Sequence, residues 1–319
     1  MAKLPAGSGR DPFGARLALA MDVRGPLCVG IDPHPALLKD WGLGDTPEGL
    51  RRFSHTVLEA VGSVAAAIKP QVALYERHGS AGLAVLEELL AAAAGARVLS
   101  IADAKRGDIG STMAAYADAW LRDGSALAAD AVTLSPYLGF ESLRPALDLA
   151  AASGRGVFVL ALTSNPEGAS VQHVGGTDSV AKRIVAAAGA ENRLHQEIPP
   201  HLDTHLHLEN LPHLDASGSR RTRIAGTARD GMGHVGLVVG ATVGSALTEL
   251  NIDLQSLHGP ILAPGLGAQG ATAEDIRTTF GPAYPQVLGT SSRGILAAGP
   301  DLAALRNAAQ RTLDGLRSQ

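Results

Sequence analysis

The feature that most constrains this chain is an alternation. Eight short β-branched or apolar runs, at residues 27–31, 65–69, 98–102, 131–134, 157–162, 235–240, 260–263 and 286–288, are separated by longer stretches. Several of those stretches carry Ala/Leu-rich helical patterns, such as 80–94, 111–121 and 272–280. Strands that alternate with helices must pair in parallel and be covered on their outer face, and eight such units predict a closed (β/α)₈ barrel of the TIM type. The 319 residues fit one such domain, 1–319. Composition agrees: 45% of residues are hydrophobic but only 3% aromatic, so Ala, Val, Leu and Ile must build the core. That suits buried parallel strands better than an aromatic-rich antiparallel sandwich.

Charge and cysteine usage exclude several function classes. The formal net charge of −4 gives no general attraction for nucleic acid or an anionic membrane, although it leaves room for a local basic pocket. Cys28 is the sole cysteine and lies in an apolar run, so no intramolecular disulfide forms and a buried, inert thiol is expected. The first residues carry charges and no continuous apolar core of signal-peptide length, and no stretch is long enough to span a bilayer. A soluble, cytoplasmic protein is the expectation.

One segment breaks the rhythm. Residues 190–233 form a long polar connection before the sixth strand, expected as a surface insertion, and hold His195, His201, His205, His207 and His213. On a helix, His201 and His205 would share one face, as a metal pair requires. No acidic general base accompanies them and the later spacing is irregular, so no metal site is assigned.

Parallel barrels place catalytic groups at the C-terminal ends of their strands. There the chain sets Asp32 after the first strand, Lys69 at the end of the second, and Asp103, Lys105 and Asp108 after the third. Asp103 and Lys105 are two apart, so on an extended chain they face the same way. The bland alternative is an ion-pair cluster capping the barrel. Two glycine loops, 265–270 and 289–294, follow strands seven and eight, the usual phosphate-binding pair in such barrels, and Arg293 adds a donor fork. The first loop also fits the G-x-G-x-x-G dinucleotide fingerprint. It sits on the wrong strand, however, and no acidic residue ends the next one, so a nicotinamide or flavin site is not expected. His34, His78 and His173 lie near loops and are expected to be ordinary surface residues.

The run D-A-K-R-G-D-I-G-S-T, residues 103–112, resembles the signature of the orotidine 5′-monophosphate decarboxylase family. The resemblance extends to A-L-T-S-N-P-E-G, A-P-G-L-G-A-Q-G and G-T-S-S-R-G, which are similar to the longer bacterial branch. It implies a cofactor-free decarboxylase acting on a nucleotide as a homodimer. Asp32 and Lys69 would hold ribose hydroxyls, Asp103 would face the substrate carboxylate, and Lys105 would deliver the replacing proton. Asp108 and Thr112 would reach into the partner's site. Ser164 would bind the pyrimidine, while Gln269 and Arg293, with Gly265, Gly267 and Gly294, would hold the phosphate. Two rivals stay open: a metal-dependent sugar-phosphate decarboxylase or synthase of the same superfamily, and a non-catalytic phosphate-binding barrel.

Overall fold

In the computed structural model, which describes residues 9–197, 229, 231–267 and 270–317, eight strands close a parallel barrel. They are β1 (Leu27–Ile31), β2 (Ala67–Pro70), β3 (Leu99–Arg106), β4 (Ala131–Leu134), β5 (Gly156–Leu162), β6 (Val235–Val239), β7 (Ile261–Pro264) and β8 (Val287–Ser291). Each pairs with its sequence neighbours, and β8 returns to β1 through Leu27↔Gly289 and Cys28↔Thr290. All eight predicted strands are present. Two run several residues further than expected: β3 continues through Lys105 and Arg106, and β8 through Ser291. Asp103 and Lys105, expected just beyond β3, are therefore part of it, whereas Asp108 lies past its end.

The helices of eight or more residues are α1 (Phe13–Arg24), α2 (Pro47–Val61), α3 (Gly79–Gly95), α4 (Gly110–Leu121), α5 (Arg144–Ser153), α6 (Val180–Glu197), α7 (Ala273–Phe280) and α8 (Leu302–Arg317). The outward side chains of the strands, such as Leu27, Val29, Ile31 and Ile68, join helix residues in one continuous core. α2 shows how the covering helices form. Thr46 caps its first turn by accepting from the Gly49 N–H, Pro47 stands at its start, and Leu50, Phe53, Val57 and Val61 make one buried stripe. α7 opens with a capping box between Thr272 and Asp275.

A second, smaller core fills the barrel itself. Cys28, Ala67, Ile101, Ala131, Phe158, Leu262 and Leu288 point inward and meet Phe13, Leu17 and Met21 of α1. This N-terminal helix, not expected from the sequence, plugs the end where the strands begin. Its Phe13 ring stands edge-on to Phe158, with centroids 5.9 Å apart. Gly236 makes room for that ring, since a Cβ there would lie 2.5 Å from Phe158.

The expected insertion at 190–233 is too broad. Residues 190–197 finish α6, where Glu191 and Asn192 are buried, and Asn192 bonds to Val235 and to the Leu257 carbonyl. Those bonds tie the helix to the mouth of β6, and Met232 joins the barrel's interior core. His201, His205, His207 and His213 lie outside the described residues. Among the described residues, no helix is long and apolar enough to cross a membrane.

Candidate active site

Side chains alternate along a strand, so every second residue of each strand faces the barrel's interior. Followed upward, this period turns from apolar to polar at one level. Cys28 leads through Gly30 to Asp32, Ala67 to Lys69 and Gln71, Ile101 to Asp103 and Lys105, and Ala131 to Thr133. On the other half, Leu160, Val238 and Leu262 stay apolar at that height. The polar residues from Asp32 to Thr133 and these three apolar ones together line a cleft of about 1120 Å³ at the C-terminal end. The cleft thus has a charged wall and an apolar wall, suited to a ligand that is part polar and part flat ring.

Asp103 is the centre of the charged wall. Its carboxylate accepts from Lys69 Nζ at 2.6 Å, Lys105 Nζ at 2.6 Å, Thr133 Oγ1 at 3.0 Å and Gln71 Nε2 at 3.2 Å. Burial by itself would raise the Asp103 pKa, but the two ammonium groups outweigh it and hold the carboxyl well below the usual carboxylate range. Burial alone would likewise depress Lys69, yet the charges of Asp103 and Asp32 keep its ammonium above the ordinary lysine value. Asp103 and Lys69 both stay ionised at neutral pH. The two lysines differ in access: the Lys69 side chain is 8% exposed and the Lys105 side chain 45%. Only Lys105 has freedom to follow a reacting group.

The backbone at Lys105 is strained, with φ of +50°, a left-handed conformation that costs a side-chain-bearing residue about 1–2 kcal/mol. The register with β4 shifts between Ala102 and Arg106, and the Lys105 N–H donates to Thr133 Oγ1 at 2.9 Å. Thr133 therefore holds both the strained backbone and the carboxylate. Strain of this kind persists only where the surroundings impose it, and it concentrates at functional sites.

Asp32 sits across the cleft, with Oδ2 accepting from Ser292 Oγ. Its Oδ1 is buried and finds no hydrogen-bond partner. A buried carboxylate oxygen beside a cleft can accept a hydrogen bond from a ligand. Arg293 and Gly265 line the mouth, and the Arg293 guanidinium has no hydrogen-bond or ion-pair partner among the described residues. Gly265 and Gly267 turn the chain after β7 with φ of +116° and +82°, which favour glycine. The Gly267 N–H is already donated to the Ala271 carbonyl, so its part is to shape the turn.

The structure thus brings Asp32, Lys69, Asp103, Lys105, Gly265 and Arg293 together. Others stand apart. Asp108 accepts from the next N–H, of Ile109, and does not contact Lys105; Thr112 is exposed on α4. Ser164 is exposed beyond β5, and Thr163 lines the cleft instead. Gly294 is exposed in the short helix Arg293–Leu296 after β8, and Gln269 lies outside the described residues. His34 lines the cleft, contrary to the expectation of an ordinary surface position, whereas His78 pairs with Asp45 at 3.2 Å. Sequence reasoning missed Gln71, Thr133 and Ser292. Extending the strand period by one step from Lys69, and noticing the lone hydroxyl in the apolar run of β4, would have found the first two.

A family model described as the orotidine 5′-phosphate decarboxylase / HUMPS family matches residues 25–308. The chain is 50% identical over 310 residues to an orotidine 5′-phosphate decarboxylase of Salinispora arenicola, covering 97% of this chain and 98% of that one. It is 49% identical to the protein of that name from Streptomyces coelicolor, covering 94% and 95%. Among solved structures it is similar to one from Streptomyces avermitilis, described as a candidate orotidine 5′-phosphate decarboxylase. There the TM-score is 0.81 at 51% identity, covering 96% and 95% of the two chains. It is also similar to the orotidylate decarboxylase of Leishmania donovani, with a TM-score of 0.68 at 27% identity, covering 96% and 97%.

Proposed function

This chain belongs to the orotidine 5′-phosphate decarboxylase family, and we propose from that premise that it is a carboxy-lyase converting orotidine 5′-monophosphate to uridine 5′-monophosphate, with Lys105 as the proton donor. The observation that carries the roles is the array Lys69–Asp103–Lys105 clamped at the base of the cleft. The C6–carboxylate bond breaks, CO₂ leaves, and the electron pair left on C6 takes a proton from Lys105 Nζ, which solvent restores. The ring cannot spread that charge well, so a preorganised cation must meet it where it develops. Lys105 is that cation and also the nearest acid. Asp103 faces the departing carboxylate and disfavours it in the ground state, a contribution whose weight is contested.

The remaining roles follow the cleft. Asp32, with its unpartnered Oδ1, and Lys69 suit the ribose hydroxyls. The apolar wall of Leu160, Val238 and Leu262 suits the ring's face. Arg293, the Gly265 and Gly294 loops and Gln269 would take the phosphate, which supplies binding energy remote from the chemistry. Ser164 would reach the pyrimidine only by a movement of the loop after β5. The reaction as written needs no cofactor, and a cytoplasmic location goes with this reading.

Asp108 and Thr112, which do not line this chain's cleft, are assigned to a partner's site in a homodimer. Exposed Ile109, Tyr137 and Leu138 on the neighbouring loops give that contact an apolar surface. Mixing Lys105→Ala with Asp108→Ala subunits tests the sharing. Random reassortment of two inactive proteins should restore about a quarter of full activity, because half the dimers would regain one intact site. No recovery after subunit exchange would overturn it.

The reaction itself is tested by mixing protein, orotidine 5′-monophosphate and a chelator and following the orotate chromophore. Rapid loss is expected. Turnover that appears only with added magnesium, or only on pentose phosphates, would favour the sugar-phosphate reading instead.

A further inference from the structure

At the opposite end of the barrel from the cleft, three potential ligands converge. Glu191 and His195 are one turn apart on α6, and His234 is the residue immediately before β6. One donor atom from each lies within 4.8 Å of the others. His195 Nε2 is 3.3 Å from Glu191 Oε1. Two ligands at about 2.1 Å from a tetrahedral metal are about 3.4 Å apart, so this pair already has the required spacing. The His195 and His234 rings meet edge to face with centroids 4.7 Å apart.

His234 supplies the second observation. It is only 7% exposed, and its Nε2 is buried with no hydrogen-bond partner. A buried ring nitrogen left unpaired is costly unless something is meant to meet it. In the neutral tautomer with its proton on Nδ1, the Nε2 lone pair of such a ring can bind a metal.

The local charge suits a cation. Arg144 donates to both Glu191 oxygens at 2.9 Å and is flanked by Glu141 and by Asp148 at 3.5 Å. Three carboxylates against one guanidinium leave two negative charges beside the two imidazoles. Each carboxylate oxygen keeps a lone pair after bonding to arginine. Arg155, nearby in the same depression, is paired with Asp123.

We propose that Glu191, His195 and His234 form a divalent transition-metal site of the zinc class at the N-terminal face of the barrel. Two imidazoles and one carboxylate are a zinc donor set, and half-exposed His195 leaves the fourth position to water. The ion would join the last described turns of α6 to the entrance of β6, so its effect is on stability rather than on chemistry at the far end.

The test titrates the chain with Zn²⁺ against a chromogenic chelator and repeats it with Co²⁺, whose visible spectrum reports tetrahedral nitrogen and oxygen ligation. Three proteins are compared: the unsubstituted chain, His195→Ala at an exposed side chain, and a chain with His201, His205, His207 and His213 all changed to Ala. One equivalent bound by the first, at least tenfold weaker binding by the second, and unchanged binding by the third are expected. The Tm should rise with Zn²⁺ in the first and third only. Zn²⁺ bound equally well after His195→Ala, or lost in the third protein, would overturn the proposal and leave Glu191–His195 a simple ion pair.

Discussion

The two ends of the barrel are built from the same strands and follow opposite rules. At the N-terminal end the inward side chains are apolar and closed over by α1, with Phe13 on Phe158 and no exposure at either ring. At the C-terminal end the same inward period delivers two lysines, two carboxylates, a left-handed backbone at Lys105 and an orphaned oxygen on Asp32. The interior of one end is apolar and closed; that of the other is charged and held in a costly arrangement by the first. Stability and function are thus divided along the barrel axis, which lets the charged end tolerate strain without loosening the fold.

Substitutions at the two ends should therefore have opposite signatures. The largest stability effect is expected for Phe13→Ala: about 3–5 kcal/mol lost in denaturant unfolding, with KM and kcat of the surviving folded protein nearly unchanged. A comparable fall in kcat without loss of stability would break the division. Thr133→Val should do the reverse, since the hydroxyl holds both Asp103 and the Lys105 backbone. About a 10–100-fold lower kcat is expected with little change in KM, because a misplaced proton donor loses rate more than binding. Equal falls in binding and rate would make Thr133 merely structural.

Ionisation sharpens the contrast. Asp103 has its folded pKa depressed by Lys69 and Lys105 despite burial, so the stability it contributes is present above the unfolded value of about 3.9. That contribution disappears as pH falls through the lower folded value. The stability gap between the unsubstituted chain and Asp103→Asn should thus persist at pH 5 and close only in strong acid. A gap already closing near pH 6 would contradict the clamped geometry. The smallest effect is expected at Cys28, where burial pushes the thiol up to about 12. It should resist thiol reagents in the native state, and Cys28→Ala should cost about 1 kcal/mol.

Much of this division was legible in the sequence. Eight apolar runs predicted the strands, and charges at their ends marked Asp32, Lys69, Asp103 and Lys105, because charge beside a buried core has to be paired or used. What escaped was set by three-dimensional register. The plug α1 has apolar residues that could as well have faced solvent, and only the barrel's open lower end selects them. Thr133 looked like an ordinary strand residue until the shift at Ala102/Arg106 brought it under Lys105. The polar stretch at 190–197 was read as insertion because Glu191, Asn192 and His195 are polar, yet Glu191 and Asn192 are buried by bonds to distant residues.

The most direct measurement is the kcat of Lys105→Ala set beside its affinity for uridine 5′-monophosphate. If the exposed lysine of the array is the proton donor, kcat should fall by more than about 10⁴-fold while product binding changes by less than about tenfold. Turnover within tenfold of the unsubstituted chain would contradict that role, whatever happened to binding.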